Sequence, residues 1–319
     1  MTDFHRIAWD GIELFTPADW SPASLRKGHL SLESDSGPAL TCIWNFQQPR
    51  FVPKTLLRHI QRQLSGVSLS IADSPAQEWA DAMQELNHAG FELAPVLWKT
   101  TAHNTEHGLG LLLHSTKHSA SALLLFLPAC SPASSARVAS AFRFQPADAT
   151  KHDWEVFGIH VSLPPKWELG SASFRPGQFE LSFLLGHGMR QSRLSFARSG
   201  PASLLLRHSD LTTWAQHFLQ RYQFRPTAIH AAPHGTDRLR VRAEQGLHSK
   251  IPGIPRRGSS AHVWLPHSGN MLLSVCLSSA DTALHQQINE FCHAFSLCTT
   301  QKDSTSASPE RSTKPGTGP

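Results

Sequence analysis

One ten-residue phrase occurs twice in this chain and constrains its fold more than any other feature. The two stretches are GIELFTPADW at residues 11–20 and GIHVSLPPKW at residues 158–167. In both, apolar and polar residues alternate as they do in a half-buried strand. A proline then ends the strand because it cannot donate a ladder hydrogen bond, and Trp20 or Trp167 follows the turn. The two phrases predict a duplicated unit.

The segments after the two phrases support this prediction because they follow in the same order. Each half continues with alternating strand patterns, a helix, further strands and a last helix. Asp210 and Asp281 are good N-caps for two of these helices. We therefore predict an α+β fold of two similar domains, each a mainly antiparallel β-sheet flanked by α-helices. The domains are residues 1–146 and 152–298, and the polar tail 299–319 is expected to be disordered.

The halves differ at one helix. Residues Ser74–Leu86 have a helical pattern, and Ser74 and Gln77 are placed like a capping box. The corresponding stretch of the second half, FRPTAIHAAPHGTD at residues 224–237, has no such pattern. The first half is thus expected to contain one helix more than the second.

Cysteine content and hydropathy predict the cellular compartment of the protein. No apolar stretch reaches the roughly 18 residues that a membrane-spanning helix needs, so no membrane insertion is expected. The start of the sequence lacks a basic segment followed by an apolar one, so no signal peptide is predicted. The five cysteines are odd in number and without C-x-x-C spacing, and we interpret them as buried free thiols. Together these features predict a cytoplasmic protein.

The repeat resembles the Mog1/PsbP-like family. The resemblance rests on GIELFTPADW and GIHVSLPPKW and on the order of the elements that follow them. It implies a central antiparallel sheet flanked by helices in each half. It also implies a protein that binds partners, since the family includes a Ran-binding protein and photosystem accessory proteins. No catalytic residues come with this resemblance, and the tandem arrangement departs from the single-domain members.

Positive charge is concentrated in the second half. Residues 149–298 carry 15 Lys and Arg against 9 Asp and Glu, whereas residues 1–148 carry 11 against 13. In the segment DRLRVRAEQGLHSKIPGIPRRG, a strand would place three arginines on one face. The candidate ligand-binding residues are Arg238, Arg240, Arg242, Lys250, Arg256 and Arg257. Such a patch suits nucleic acid, an acidic protein or an anionic ligand, and the alternative is an ordinary solvated face.

A second motif, HNTEH at residues 103–107, has the His-x-x-Glu-His spacing of some zinc enzymes. It lies between two strand patterns, where the helical geometry that brings His103 and His107 together would be lost. We therefore expect no metal, no cofactor and no catalytic residues. The favoured interpretation is a non-catalytic binding or scaffold protein with a protein partner. The alternatives are an anion or nucleic-acid binder that uses the basic face, and a metal-dependent hydrolase around His103, Glu106 and His107.

Overall fold

The computed structural model describes most of the chain. The described residues are 3–47, 50–64, 66–73, 77–100, 107–128, 130–146, 148–222, 226–231, 238–244, 258–266 and 270–298. The tail at 299–319, for which disorder is predicted, lies outside them.

The first half contains ten strands and three α-helices among its described residues. The strands are β1 (Phe4–Trp9), β2 (Ile12–Pro17), β3 (Ser21–Arg26), β4 (His29–Ser34), β5 (Gly37–Phe46), β6 (Val67–Ile71), β7 (Phe91–Thr100), β8 (His107–Ser115), β9 (Ala120–Phe126) and β10 (Arg143–Phe144). The helices are α1 (Pro53–Gln61), α2 (Ala80–His88) and α3 (Pro132–Ser140).

The described part of the second half adds ten strands and four helices. The strands are β11 (His152–Val156), β12 (Ile159–Leu163), β13 (Glu168–Arg175), β14 (Gln178–Leu185), β15 (Ser192–Ser199), β16 (Pro226–Ala231), β17 (Arg238–Glu244), β18 (Gly258–Trp264), β19 (Leu272–Ser279) and β20 (Phe295–Leu297). The helices are α4 (Ala202–Leu205), α5 (Leu211–Gln220), α6 (Thr282–Gln286) and α7 (Ile288–His293).

These strands form three antiparallel sheets. The first-half sheet has the order β3-β4-β5-β9-β8-β7-β6, and the second-half sheet has the order β13-β14-β15-β19-β18-β17-β16. The third, which we call the shared sheet, has the order β10-β2-β1-β11-β12-β20 and takes three strands from each half. Its two groups of strands meet where β1 pairs with β11, with Ala8 opposite Glu155.

The predicted α+β class, with one helix-flanked sheet in each of two domains, is therefore wrong. Strands hold about half of the described residues and helices about a quarter, so the protein is mostly antiparallel β. The physical reason lies in the opening hairpins. Each hairpin leaves its half's main sheet and joins the other hairpin edge to edge, so much of the core is covered by strands rather than by helices. Helices are short, and α5, at ten residues, is the longest of those described.

The opening phrases form matching hairpins. Asp10 and Gly11 have φ angles of 45° and 83°, and Phe157 and Gly158 have φ angles of 51° and 70°. Positive φ at both turn residues is the geometry of a two-residue hairpin turn whose twist suits the flanking strands. Beyond each hairpin, the tryptophan backbone N–H donates to the proline carbonyl, at 3.0 Å in Trp20 and 3.1 Å in Trp167. Both indoles are buried in the main core.

An ion cluster on the shared sheet bridges the two halves. Arg6 on β1 donates from Nε to Glu13 at 2.8 Å and from Nη1 to Glu155 at 3.0 Å. Its Nη2 donates to Asp153 at 3.0 Å. Below the sheet, the rings of Trp9 and Trp154 meet edge to face with centroids 5.3 Å apart. Ion pairs on the outer face of the shared sheet and aromatic packing on its inner face thus both connect β1 with β11.

Helix starts follow the predicted caps, with one difference in length. The Asp210 carboxylate accepts from the Thr213 N–H at 2.7 Å and begins α5. Asp281 begins α6 in the same way, but the single helix expected after it breaks at Gln287 into α6 and α7. In the first half, the predicted helix Ser74–Leu86 is found as α2, which begins later, at Ala80, after a 3₁₀ turn.

The cysteines and helices bear on the predicted location. All five cysteines are free, and Cys42, Cys276 and Cys292 are buried. Cys130 and Cys298 are partly exposed, so the expectation that all five are buried holds for three of them. Every helix in the described part of the chain is too short or too polar to cross a membrane.

Candidate anion-binding groove

The candidate site lies on β17, at the end of the second-half sheet. Leu239 and Val241 of this strand are buried against α5 on one face of the sheet. Because side chains alternate along a strand, Arg238, Arg240 and Arg242 lie on the opposite face, beside α6 and α7. Arg240 and Arg242 are exposed, and Arg238 is half-buried.

A small groove separates β17 from α6 and α7, and we call it the basic groove. Strand register brings Arg240 opposite His262 and Arg242 opposite Ser260 on β18. Its volume is about 150 Å³. The polar side chains that line it belong to Arg240, Arg242, Ser260, His262, His285, Gln286 and Asn289. Two guanidinium groups, two imidazoles, a hydroxyl and two amides thus converge on one depression, and no carboxylate is among the lining residues that the structure describes.

Arg238 has a different role from its two neighbours. Its guanidinium lies over the Trp264 ring at 5.3 Å, and Nη2 is 3.5 Å from Nδ1 of His262. It also hydrogen-bonds Cys292, whose thiol pKa burial raises to about 11 while the positive charge of Arg238 opposes that rise. Its Nε is buried and has no hydrogen-bond partner in the described part of the chain. Arg238 therefore packs beneath the groove, and its stem and head cover apolar surface.

His262 forms part of the groove floor and is neutral near pH 7. It is only 4% exposed. Burial lowers its pKa to about 4, and the positive charges of Arg238 and Arg240 act in the same direction. A negative charge bound in the groove would offset those two cations, so it would raise the pKa of His262.

A fixed hydrogen-bond chain supports the other end of the floor. The Ser260 hydroxyl is 2.9 Å from Nδ1 of His285, and Nε2 of His285 is 3.1 Å from the Ser279 carbonyl oxygen. One tautomer fits both contacts, with Nε2–H donating to the carbonyl and the hydroxyl donating to Nδ1. Ser260 and His285 thus hold each other in place, and α6 is tied to β18.

The structure does not unite all the predicted basic residues. Lys250, Arg256 and Arg257 lie outside the described residues. Two further arginines of this half, Arg193 and Arg198, also lie away from the groove. Arg193 lies on the opposite face of the sheet, because it alternates with Leu194, which packs in the main core with residues of α6 and α7. Arg198 is half-buried: it donates to the Phe157 carbonyl at 2.6 Å and lies over the Phe179 ring. Of the six candidate residues, Arg240 and Arg242 line the groove.

The groove also contains residues that sequence reasoning missed. Ser260 and His262 alternate with buried Ala261 and Val263, so a strand pattern alone places them on the face away from α5. Their meeting with the arginines depends on the β17–β18 register, and His285 is added by the packing of α6. Neither contact has a local signal in the sequence.

The HNTEH motif falls mostly outside the described residues. His103 and Glu106 belong to the connection between β7 and β8, of which no structural detail is described. His107 is the first residue of β8, is exposed and lies opposite Lys99. It therefore belongs to a strand rather than to the helix that a His-x-x-Glu-His zinc site requires.

A second, larger depression lies in the first half, between α1 and β5. Its volume is about 530 Å³, and Asp10, Lys27, His59, Gln63 and Trp44 are among the residues that line it. The Asp10 carboxylate accepts from the Gly28 N–H at 2.7 Å, and burial raises its pKa. The described lining includes one carboxylate, one ammonium group and one imidazole, so no single ligand charge is favoured.

Comparisons with known proteins add little beyond the fold. No family model and no curated protein matches the sequence. The Ran-binding protein Mog1p of Saccharomyces cerevisiae matches at 9% identity and a TM-score of 0.35, over 47% of this chain and 96% of that chain. The immunity protein TplEi of the Pseudomonas aeruginosa T6SS, in complex with "L" peptide, matches at 9% identity and a TM-score of 0.29, over 92% of this chain and 98% of that chain.

These likenesses are slight. The similarity to Mog1p agrees in coarse outline with the Mog1-like resemblance read from the sequence. It extends over about half of the chain and carries no argument about partners, and neither does the likeness to TplEi.

Proposed function

We propose that this chain is a non-catalytic binding protein of the cytoplasm that holds an acidic partner protein in the basic groove. The observation that supports this most is the convergence of Arg240 and Arg242 on a groove whose described lining residues include no carboxylate. Guanidinium groups suit carboxylates because their N–H donors form a fixed planar fork. Five free cysteines fit a reducing compartment.

We favour a protein partner over nucleic acid because of what lies around the arginines. Proteins that bind single strands stack bases on exposed aromatic rings. The described lining of the groove contains no aromatic ring other than the imidazoles, and the nearby Trp264 is half-buried beneath Arg238. Nucleic acid remains the second candidate, since the phosphate backbone also pairs with arginine.

We also propose that residues 1–146 and 152–298 are two copies of one ancestral unit. Three features support this. The two seven-stranded sheets have matching strand orders. Both opening hairpins have two turn residues with positive φ. Both prolines accept a hydrogen bond from the tryptophan that follows them. In this proposal the two units diverged in surface charge, and the unit at residues 152–298 acquired the anion-binding groove.

The test measures the binding of polyglutamate to the full chain by isothermal titration calorimetry at low salt. We expect binding that weakens as salt increases, because surface charge pairs are screened. The double variant Arg240→Glu with Arg242→Glu should bind at least about tenfold more weakly, which corresponds to about 1.4 kcal/mol.

The matched control is Arg175→Glu with Arg207→Glu. It changes the net charge equally, and both of its residues are exposed away from the groove. Equal loss of binding in the two double variants would mean that only overall charge matters and would overturn the proposal, as would a wild-type protein that binds no polyglutamate. Tighter binding of an oligonucleotide of equal charge would favour nucleic acid instead.

A further inference from the structure

The depression between α1 and β5 in the first half, which we call the α1 cavity, has the size and build of a small-molecule site. Its volume is about 530 Å³, and ligand pockets usually have about 300–1,000 Å³. Its floor is apolar, because Ile43, Leu56 and Ile60 line it and are buried. Asn45 and Gln63 are exposed and place amide groups at its rim. Apolar walls with a few polar groups are typical of sites that bind small molecules.

The second half has larger side chains at the equivalent positions. Helix α1 lies beside β6 and α5 lies beside β16, and these strands end their sheets in the same way. Each helix has a histidine in its last turn, and aligning the helices on it places Leu56 and Ile60 at the positions of Trp214 and Phe218. The rings of Trp214 and Phe218 stack with centroids 4.8 Å apart. The α1 cavity is therefore open where α5 carries two aromatic rings.

Asp10 is held at one end of the α1 cavity by two hydrogen bonds. Its backbone carbonyl accepts from Nε1 of Trp44 at 3.0 Å, and its carboxylate accepts from the Gly28 N–H at 2.7 Å. The ion pairs among the described residues do not include Asp10. A carboxylate has about four lone-pair sites, so Asp10 can accept further hydrogen bonds. It can therefore receive an ammonium group without any change in the hairpin turn.

Lys27 brings a positive charge to the same end of the cavity. Burial raises the pKa of Asp10 and the charge of Lys27 partly offsets that rise, so the two groups are close together. The Lys27 ammonium group is 3.7 Å from Glu168, but both side chains are mostly exposed. Exposed ion pairs of this kind are weak. Lys27 can therefore exchange Glu168 for the carboxylate of a ligand.

The floor can receive an apolar group without leaving a hydroxyl unpaired. Ser121 is a buried polar residue of the floor, and its hydroxyl is 2.9 Å from Nδ1 of His114. The described lining thus asks for three things in one ligand: an ammonium group, a carboxylate and an apolar body. A zwitterion with an apolar side chain carries all three and has no net charge.

We propose that the α1 cavity binds a free α-amino acid with a large apolar side chain. The ammonium group of the ligand pairs with Asp10 and its carboxylate pairs with Lys27, while its side chain packs on Leu56 and Ile60. The site lies in the first half and shares no lining residue with the basic groove. The inference therefore goes beyond the proposed function and does not rest on it.

The experiment compares L-phenylalanine with two analogues that each lack one charged group. Hydrocinnamate lacks the ammonium group, and phenethylamine lacks the carboxylate. Titration of the full chain, followed by heteronuclear NMR, measures the affinity of each compound. We expect L-phenylalanine to bind at least about tenfold more tightly than either analogue, because each analogue loses one charge pair.

Two variants test the two ends of the cavity. Asp10→Asn should weaken the binding of L-phenylalanine at least about tenfold and leave that of hydrocinnamate unchanged. Asparagine keeps an oxygen for the Gly28 N–H and tolerates the φ of 45° at this position, so the variant should fold. Asp35→Asn removes the same charge from an exposed residue outside the cavity and should leave both affinities unchanged. Ile60→Phe narrows the floor and should weaken all three compounds.

Several results would overturn this inference. They are no binding of L-phenylalanine, equal affinity for L-phenylalanine and either analogue, or equal effects of Asp10→Asn and Asp35→Asn. If Ile60→Phe is unfolded in its NMR spectrum, Asp10→Asn alone decides. Polyglutamate binding, measured in the same variants, should persist in Asp10→Asn. Failure of the amino-acid site would thus leave the proposed function standing, and loss of polyglutamate binding to the wild type would leave the amino-acid site standing.

Discussion

Replacing Arg6 by alanine should weaken the joint between the two halves more than removing an exposed ion pair between them does. Arg6 is one-quarter exposed, and it pairs with one carboxylate on its own hairpin and two on β11. A hydrogen bond to a charged group contributes about 1.5–3 kcal/mol when buried, and an exposed ion pair contributes about 0.2–1 kcal/mol. The partly exposed setting suggests roughly 1 kcal/mol for each of the three contacts. We therefore expect a loss of roughly 3 kcal/mol in the free energy of unfolding.

The matched control is Lys27→Ala, which removes a second ion pair between the halves, with Glu168. Lys27 Nζ is 3.7 Å from Glu168, and both side chains are more than 60% exposed. This change should cost less than about 0.5 kcal/mol. Urea unfolding followed by tryptophan fluorescence measures both variants. If Arg6→Ala costs no more than Lys27→Ala, the cluster does not stabilise the joint and the reasoning is wrong.

The same variant should also change the acid dependence of stability. Burial alone would raise the pKa of Asp153, but hydrogen bonds from Ser162 and Arg6 and the nearby positive charges bring it below its ordinary value. A carboxyl with a lowered pKa in the folded state stabilises the protein above its unfolded pKa of about 3.9. That contribution is lost as the pH falls through the folded-state pKa. The stability difference between wild type and Arg6→Ala should therefore shrink as the pH falls from about 5 toward 2.

Two further predictions concern the second half. Asp210→Ala removes the N-cap bond to Thr213 and should lower the midpoint of thermal or urea unfolding, whereas Asp210→Asn, which keeps a capping oxygen, should change it little. Equal losses in these two variants would contradict the capping role. His262 should titrate near pH 4 in an NMR experiment, and Arg240→Gln should raise its pKa by removing one of the two nearby cations that, together with burial, lower it. Because the unfolded state takes up this proton near pH 6.5, His262 should also destabilise the fold progressively as the pH falls from about 6.5 to 4. An unchanged pKa in Arg240→Gln would show that the guanidinium does not reach the imidazole.

Local features could be predicted from the sequence because their causes lie within a few residues. The hairpin turn at Gly11 follows from a glycine between two alternating segments, and it has the positive φ that such a turn requires. The start of α5 follows from Asp210, whose side chain reaches only three residues along the chain. The alternation of Leu239 and Val241 with the arginines likewise predicts the buried and open faces of β17.

Features that depend on distant contacts could not be predicted in this way. The shared sheet exists because β1 pairs with β11. The sequence of each of these strands is equally compatible with an edge position in a sheet of its own domain. The inward position of Arg238 depends on Trp264, which strand register places beside it. The convergence of His262 and His285 depends on how α6 packs against β18.

The pairing of β1 with β11 also affects what would happen to a severed chain. A strand edge with unpaired N–H and C=O groups recruits another strand, and here each hairpin already satisfies the other. A cut within residues 145–151, which lead from β10 to β11, would leave the ladder, the Arg6 cluster and the tryptophan contact intact. We expect such a nicked protein to migrate as a single particle. In that case, the peptide connection mainly raises the local concentration of two halves that would bind each other without it.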